Sequence, residues 1–342
     1  MKKLSFIFAA LFVAGFTMAQ DNTATVKQFG ENIGSVSQTG SDNNAKILQG
    51  TKDVEVTNNR KLQYAGDWKE GSFIDQVGEN NTAKTTVRTS GNGTSISQDG
   101  ERNKGFQDVG SFNEETTDWT KMGLDIEQKG KGNWATQKTS ENFGCPSGIA
   151  GMTIIQKGDH NIADQVSMGG YGGNQSIKQI GDNNNNTVKS GNVFDLSSTT
   201  LNNTLLAFTT LTLPLTQYSN QNGGSAIMNV KGDNNNTYQF QKFSVWETSG
   251  HNDAMLDLKG DKNNIFQGQL GESNNSDLDI HGDGNVVSTS QVGDWNVADV
   301  NIRGDYNVVG IQQTGSGHEA YVTQNGSNFA KVVQQNSTVC QN

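Results

Sequence analysis

The sequence predicts an all-β chain: a β-solenoid or cross-β stack of 22-residue coils, two short strands per coil, with loop insertions in the middle. Three observations carry this. A glycine stands at every eleventh position from Gly260 through Gly271, Gly282, Gly293, Gly304 and Gly315 to Gly326. The odd offsets from each glycine form columns. Position +3 is Asn263, Asn274, Asn285, Asn296 and Asn307, then His318, and +5 runs Ile265, Ser276, Val287, Ala298, Val309 and Ala320. Position +9 reads Gln269, Ile280, Gln291, Ile302, Gln313 and Gln324, so like follows like mostly at 22 residues rather than 11. A fixed period marks a stacked architecture. Alternation places the odd columns on one strand face and leaves Asp, Asn, Ser, Thr and Lys on the other.

The chain divides accordingly. Residues 1–19 read as a secretory signal: Lys2 and Lys3, an apolar run from Leu4 to Ala14, and Thr17-Met18-Ala19 as a small-residue cleavage site before Gln20. The apolar run is too short for a membrane span, and nothing later is long enough. Residues 20–50 carry clean repeats, and 51–259 carry irregular ones. There, units anchored at Gly78, Gly100, Gly130, Gly158, Gly181 and Gly232 are spaced by 22, 30, 28, 23 and 51 residues. Thr51 to Ser72, Ser111 to Gly123, Thr139 to Gly151 and Ser190 to Ser225 read as insertions. The last is the most apolar stretch after the signal, read either as two strands turned near Asn220 to Gly224 or as a contact surface. Residues 260–335 are regular, and 336–342 form a tail with no polar cap or helix, which leaves the last strand edge open as a template.

In a stack of this kind the Asn and Gln columns become ladders, each amide bonding to the one above and below. Buried amides are costly unless they are bonded, and a ladder bonds them all. Pro146 and Pro214, the only prolines, fall outside the regular units, as a fully paired stack requires. Cys145 and Cys340 lie far apart in sequence, so an internal bridge, an intermolecular link and a free thiol all stay open.

Certain units resemble the curlin repeat: Ser, five residues, Gln-x-Gly, two residues, Asn-x-Ala, three residues and Gln. Gln38, Gly40, Asn43, Ala45 and Gln49 match all of it but the leading Ser. Gln128, Gly130 and Asn133 repeat its first part with Ala135. So do Gln156, Gly158 and Asn161 with Ala163, and Gln291, Gly293 and Asn296 with Ala298. The ladder residues expected from this pattern also include Gln269, Gly271, Asn274, Gln313, Gly315, Gln324 and Gly326. The resemblance implies a subunit of curli-type functional amyloid. Its partners would be itself, other curlin subunits, and a dedicated outer-membrane export channel with accessory proteins.

Composition fits a structural reading. Apolar residues make up 32% of the chain, below the ordinary globular range, so a single coil depends on its neighbours for burial. The formal net charge of −10, or −12 without Lys2 and Lys3, argues against nucleic acid, which needs a basic face. About fourteen 22-residue coils are the most that the chain after residue 19 holds. Gly-Asp recurs at Asp159, Asp182, Asp233, Asp261, Asp283, Asp294 and Asp305, but the period is eleven and the glycines single, so turn chemistry explains it better than calcium. His160, His251, His281 and His318 show no ligand spacing, and no nucleophile elbow exists. Trp134 and Trp295 occupy even, outward offsets. The expectation is therefore no enzyme and no cofactor. It is a secreted structural subunit of an extracellular amyloid fibre supporting biofilm matrix and adhesion, reaching the cell surface through the periplasm. A minor or nucleating subunit, or a monomeric solenoid adhesin, are the alternatives.

Overall fold

The computed structural model describes residues 21–29, 33–50, 71–88, 93–109, 122–141, 150–168, 174–189, 217–220, 225–242 and 252–335. The signal segment, both cysteines, both prolines, His251 and the tail after Gln335 lie outside them, as do most of the insertion residues. Among the described residues every element is a β-strand, β1 to β24 in chain order. The chain alternates between two parallel sheets. Sheet one has thirteen strands and includes both the first, β1 (Thr23–Gln28), and the last, β24 (Phe329–Gln335). Sheet two has eleven, from β2 (Gly34–Ser41) to β23 (Glu319–Asn325). The architecture is solenoid-like: each strand pairs with the next strand of its own sheet, and the chain crosses over between them.

Register is held through the stack apart from one shift between Ser167 and Met168, at the end of β11 (Ile162–Met168). One column of sheet two runs Gln38, Gln76, Gln98, Gln128, Gln156, Gln179, Val230, Leu258, Ile280, Ile302 and Gln324, each the backbone partner of the next. In the C-terminal part partners stand 22 residues apart, as in Ala254, Ser276, Ala298 and Ala320. Elsewhere the interval ranges from 21 residues, between Gln28 and Gln49, to 51, between Gln179 and Val230, yet the inner columns stay aligned. The reason is that the extra residues enter almost entirely on one arc. Passing from sheet two to sheet one, the chain turns through Gly-x-x-Asn from Gly40–Asn43 to Asn307 after Gly304, and through the shorter Gly326-Ser327-Asn328 at the last crossing. Passing back, it uses four residues between Leu270 and Asn275 (271–274) but 110–121 between Val109 and Met122. The exception is the longest insertion. Gln217–Asn220, expected to belong to it, pairs with Gln165–Ser167 and with Tyr218's partner strand at Phe240–Lys242, completing the level begun by Asn185–Lys189. This insertion interrupts a strand of the stack, because the sheet still demands backbone partners at that level.

The inner faces pack a thin core of Ala, Val, Ile, Leu and Met with buried Asn and Gln. Strand burial alternates as the odd offsets require, for example Ser276, Leu278 and Ile280 in and Asp277 and Asp279 out. Trp134 and Trp295 are exposed. One stretch departs from the expected solvent-facing even offsets. On the outward side of sheet one, Phe240, Phe266, Ser288 and Ser290 are buried too, and Tyr238 stacks on Phe266 with ring centroids 5.0 Å apart. The aromatic content there makes this face apolar enough to favour burial on both sides.

The turn glycines are needed for two reasons. Gly282 has φ +137°, closed to other residues, and a Cβ there would lie 2.1 Å from the carbonyl oxygen of Gly304 in the next coil. The same backbone contact recurs along the column from Gly40 to Gly260, because successive turns stack at the inter-strand spacing of about 4.8 Å. Two residues later the turn again requires positive φ, met by Asn183, Lys262, Trp295 and Tyr306 among others. Gly317 occupies this second position at φ +73° with open space around it. Gly282→Ala should therefore destabilise the fold by on the order of 3 kcal/mol. Gly317→Ala should cost about 1 kcal/mol. Urea denaturation followed by circular dichroism measures both, and equal costs would show that the turns do not stack this closely.

Candidate functional site

The chemistry of this chain is concentrated in columns of amides. The longest begins at Asn22 and passes through Asn43, Asn81, Asn103, Asn133, Asn161, Asn184, Asn235, Asn263, Asn285 and Asn307 to Asn328. In each step the backbone N–H of one Asn donates to Oδ1 of the Asn before it, at 2.8–3.1 Å. In the coils up to Asn235, Nδ2 donates forward to the turn-glycine carbonyl of the next coil, as Asn133 does to Gly158 at 2.7 Å. These Asn side chains are buried for all but the ends. On the opposite arc a shorter ladder joins Asn252, Asn274 and Asn296, and Nδ2 of these three reaches the carbonyls of Gly271, Gly293 and Gly315. His318 continues it through its backbone N–H to Asn296 Oδ1, with Nε2 3.1 Å from the Thr314 carbonyl.

Glutamines bond along the axis and across the core. In sheet two, Nε2 of Gln38, Gln76, Gln98, Gln128 and Gln156 donates to Oε1 of the next Gln, ending at Gln179, at 2.7–2.9 Å. In sheet one the corresponding ladder runs Gln241, Gln269, Gln291, Gln313, Gln334, at 2.8–3.0 Å, and Gln28 donates to Gln49 at its N-terminal start. Each of these amides except Gln28 also donates to a backbone carbonyl across the core, as Gln128 does to Lys104 and Gln291 to Asn275. The ladder thus changes sheets between Gln179 and Val230, where Val230, Leu258, Ile280 and Ile302 take over in sheet two. This locates the Gln and Ile of position +9: they belong to different sheets.

Of the residues singled out from sequence, Gln38, Gln128 and Gln156 fall in the sheet-two ladder. Gln49, Gln269, Gln291 and Gln313 fall in sheet one. Gly40, Asn43, Gly130, Asn133, Gly158, Asn161 and Gly326 lie on the first arc; Gly271, Asn274, Gly293, Asn296 and Gly315 lie on the second. Ala45 is in the core. Gln324 stands apart, with Oε1 buried and lacking a partner.

Two further ladders were not expected from the sequence. Gln107, Gln137 and Gln165 bond in series, as do Gln239 and Gln267, each also donating across to sheet two. Their signal was a Gln at +7, visible only once, at Gln267, within the regular units. The Gly-Asp turns form the other. Oδ1 of Asp159, Asp182, Asp233, Asp261, Asp283 and Asp305 each accepts the backbone N–H of the preceding coil at 2.7–2.8 Å. Asp after the turn glycine therefore links coils as well as shaping the turn.

Outward ion pairs also run from coil to coil, among them Lys131–Glu101 at 3.0 Å and Arg303–Asp279 at 2.5 Å. They are solvent-exposed in part, and such pairs contribute little each. The Lys131 ammonium, first by hydrogen bond and then by charge, holds Glu101 below the usual carboxylate range. Partial burial pushes Asp125 and Asp277 up; the charges of Asp299 and Asp279 add to the effect at Asp277. Asp299 is the in-register partner of Asp277. Among the described residues, no group of three or more His, Cys, Asp or Glu side chains is placed to hold a metal ion. No described helix is long and apolar enough to cross a membrane.

Replacing Gln128 with Leu leaves Gln156 Oε1 and the Lys104 carbonyl without that donor and one Gln98 N–H without its acceptor. The loss should be about 3 kcal/mol, near 1 for each orphaned group, read as a lowered urea midpoint. Asp277→Asn acts oppositely. A carboxyl with a folded pKa above its unfolded value binds more protons in the fold, so stability is gained as pH falls through the folded pKa and is fully present below the unfolded value, about 4. Asp277→Asn should raise the denaturation midpoint at neutral pH, and the difference from the parent should close by about pH 3. A difference independent of pH would show that its charge is not the cause.

No protein-family model matches the chain, and no curated protein matches it either.

Proposed function

We propose that the chain is a secreted structural subunit of an extracellular curli-type amyloid fibre, built as a cross-β stack of coils of about 22 residues, that supports a biofilm matrix and surface adhesion. The observation that carries this reading is the Asn ladder from Asn22 to Asn328, which ends at strands whose outer edges have no partner among the described residues. The terminal strands β1 and β24 have partly exposed inner positions, unlike the same columns one coil further in. An unpaired parallel edge with in-register amides is a template for another chain. Partners would be further copies, other curlin subunits, and the export channel with its accessory proteins that the curlin-like repeats imply. The Asn ladder runs on in register past the insertions, from Asn103 to Asn133 and from Asn184 to Asn235.

The purified chain from residue 20 onward should convert from a mostly disordered form to β-rich fibrils, because one coil alone buries too little. Thioflavin fluorescence and circular dichroism follow the conversion. A concentrated sample that remains monomeric and β-folded for days would replace this reading with that of a solitary solenoid adhesin.

A further inference from the structure

The first and last strands of the described stack lie in the same sheet. The described stack, which begins and ends in sheet one, therefore contains a half-integral number of coils. If a second copy were stacked on β24 in the same orientation, β1 of that copy would follow β24 in sheet one. Its β2 would then lie two levels above β23, leaving a strand-wide slot in sheet two. A half-turn about the stack axis removes the slot: β1 of the second copy follows β23, and its β2 follows β24. The half-turn also reverses both strand directions, so all pairing stays parallel.

The side chains at the two ends match in this arrangement. The inner positions of β23 are Ala320, Val322 and Gln324, and those of β1 are Ala24, Val26 and Gln28. Those of β24 are Ala330, Val332 and Gln334, opposite Gly34, Val36 and Gln38 of β2. Interior coils differ. There Gln at the last inner position belongs to one sheet only: Gln76 and Gln98 in sheet two with Val87 and Val109 in sheet one, then Gln269 and Gln291 in sheet one with Ile280 and Ile302 in sheet two. Among the described strands both sheets carry Gln only toward the ends: Gln28, Gln38, Gln49 and Gln76 at one, Gln313, Gln324 and Gln334 at the other.

Gln324 shows why this matters. It follows four apolar residues in its column, so Ile302 beneath it donates nothing, and its buried Oε1 is unpartnered. Within the chain an Ile at 324 would be the better residue, since an orphaned buried carbonyl costs free energy. In every Gln ladder of the molecule Nε2 donates toward the following coil. For Gln324 the following coil belongs to another copy. Gln28 donates inward to Gln49, which leaves its own Oε1 for a donor from outside. At the arc, Asn22 of the incoming copy meets His318. The His318 Nε2 is held by the Thr314 carbonyl and so carries the proton, leaving Nδ1 to accept the Asn22 N–H as Asn Oδ1 does elsewhere.

Resting on the fibre reading above, we propose that copies of this chain stack head to tail with a half-turn at each junction, β23 on β1 and β24 on β2, so that Gln324 and Gln334 of one copy donate to Gln28 and Gln38 of the next. The two sheets exchange at every junction, and the insertions of successive copies emerge on alternate sides of the fibre.

Cysteine cross-linking tests the junction in fibres grown from chains with Cys145 and Cys340 replaced by Ser. Lys27 and Thr323 are exposed and become lateral neighbours across the half-turn junction, at about 4.8 Å between backbones, within disulfide reach. Lys27 and Val333 would be neighbours only in the unrotated stack. Lys27→Cys with Thr323→Cys should cross-link at least about tenfold more than Lys27→Cys with Val333→Cys. The reverse preference overturns the half-turn and leaves the fibre standing. Failure of the Cys-free parent to form fibres overturns both. The variant Gln324→Ile separates the junction from the fold: its urea midpoint should equal or exceed the parent's, while elongation from parent seeds slows roughly tenfold, the rate equivalent of one lost hydrogen bond. Unchanged elongation would overturn the role of Gln324.

Discussion

Every part of this molecule depends on one requirement: an amide taken out of water must find both a donor and an acceptor. The core is too poor in apolar side chains to be held by burial alone, and Asn and Gln fill the remainder. They are tolerable only because parallel, in-register stacking sets equivalent atoms about one strand spacing apart. At that distance the Nε2 of Gln98 meets the Oε1 of Gln128, and the N–H of Asn103 meets the Oδ1 of Asn81. A slip by one residue would turn these amides outward and bring Asp and Lys in. The ladders therefore hold the register as firmly as a hydrophobic pattern does in an ordinary sheet.

The same requirement explains the exchange of Gln between sheets. Each Gln donates along the axis and across to a carbonyl of the opposite sheet, so it spans the core. An apolar partner facing it, such as Val87 or Ile302, leaves that path free. Interior coils accordingly hold one Gln at this site, and the chain changes from one arrangement to the other across its longest insertion. In the Gln column the two coils share no side-chain amide bond there, while the Asn ladder continues from Asn184 to Asn235. The turns obey a related limit. Glycine carbonyls stack so closely that no Cβ fits between them, and Asp carboxylates just beyond accept the N–H groups that the turn leaves open.

Confinement of extra residues to one arc reconciles irregular spacing with a regular core. Residues added between Val109 and Met122 leave the Gly130 turn untouched, so Asn133 still reaches Asn103. Among the described residues of the N-terminal coils, no Asn ladder runs along that arc. In the last coils the arc shortens to Gly-x-x-Asn, and a second Asn ladder appears at once, from Asn252 to Asn296.

Sequence alone determined the all-β class, the inward and outward faces, and the identity of the Asn and Gln columns, because period and alternation are properties of local order that residue types record directly. Gly282, Asn285 and Gln291 were legible in this way, and Trp295 was legible as outward-facing. Tertiary structure decided what depends on which strand lies over which. It placed Gln291 and Ile280 in different sheets, drew Gln107 and Gln137 into a ladder across an interval of 30 residues, and made Gln217–Asn220 part of a coil. It also buried Phe240 on a face expected to meet solvent. These outcomes come from inter-strand contacts at variable sequence separation. No local pattern encodes them, whereas backbone pairing across the stack enforces them at every level.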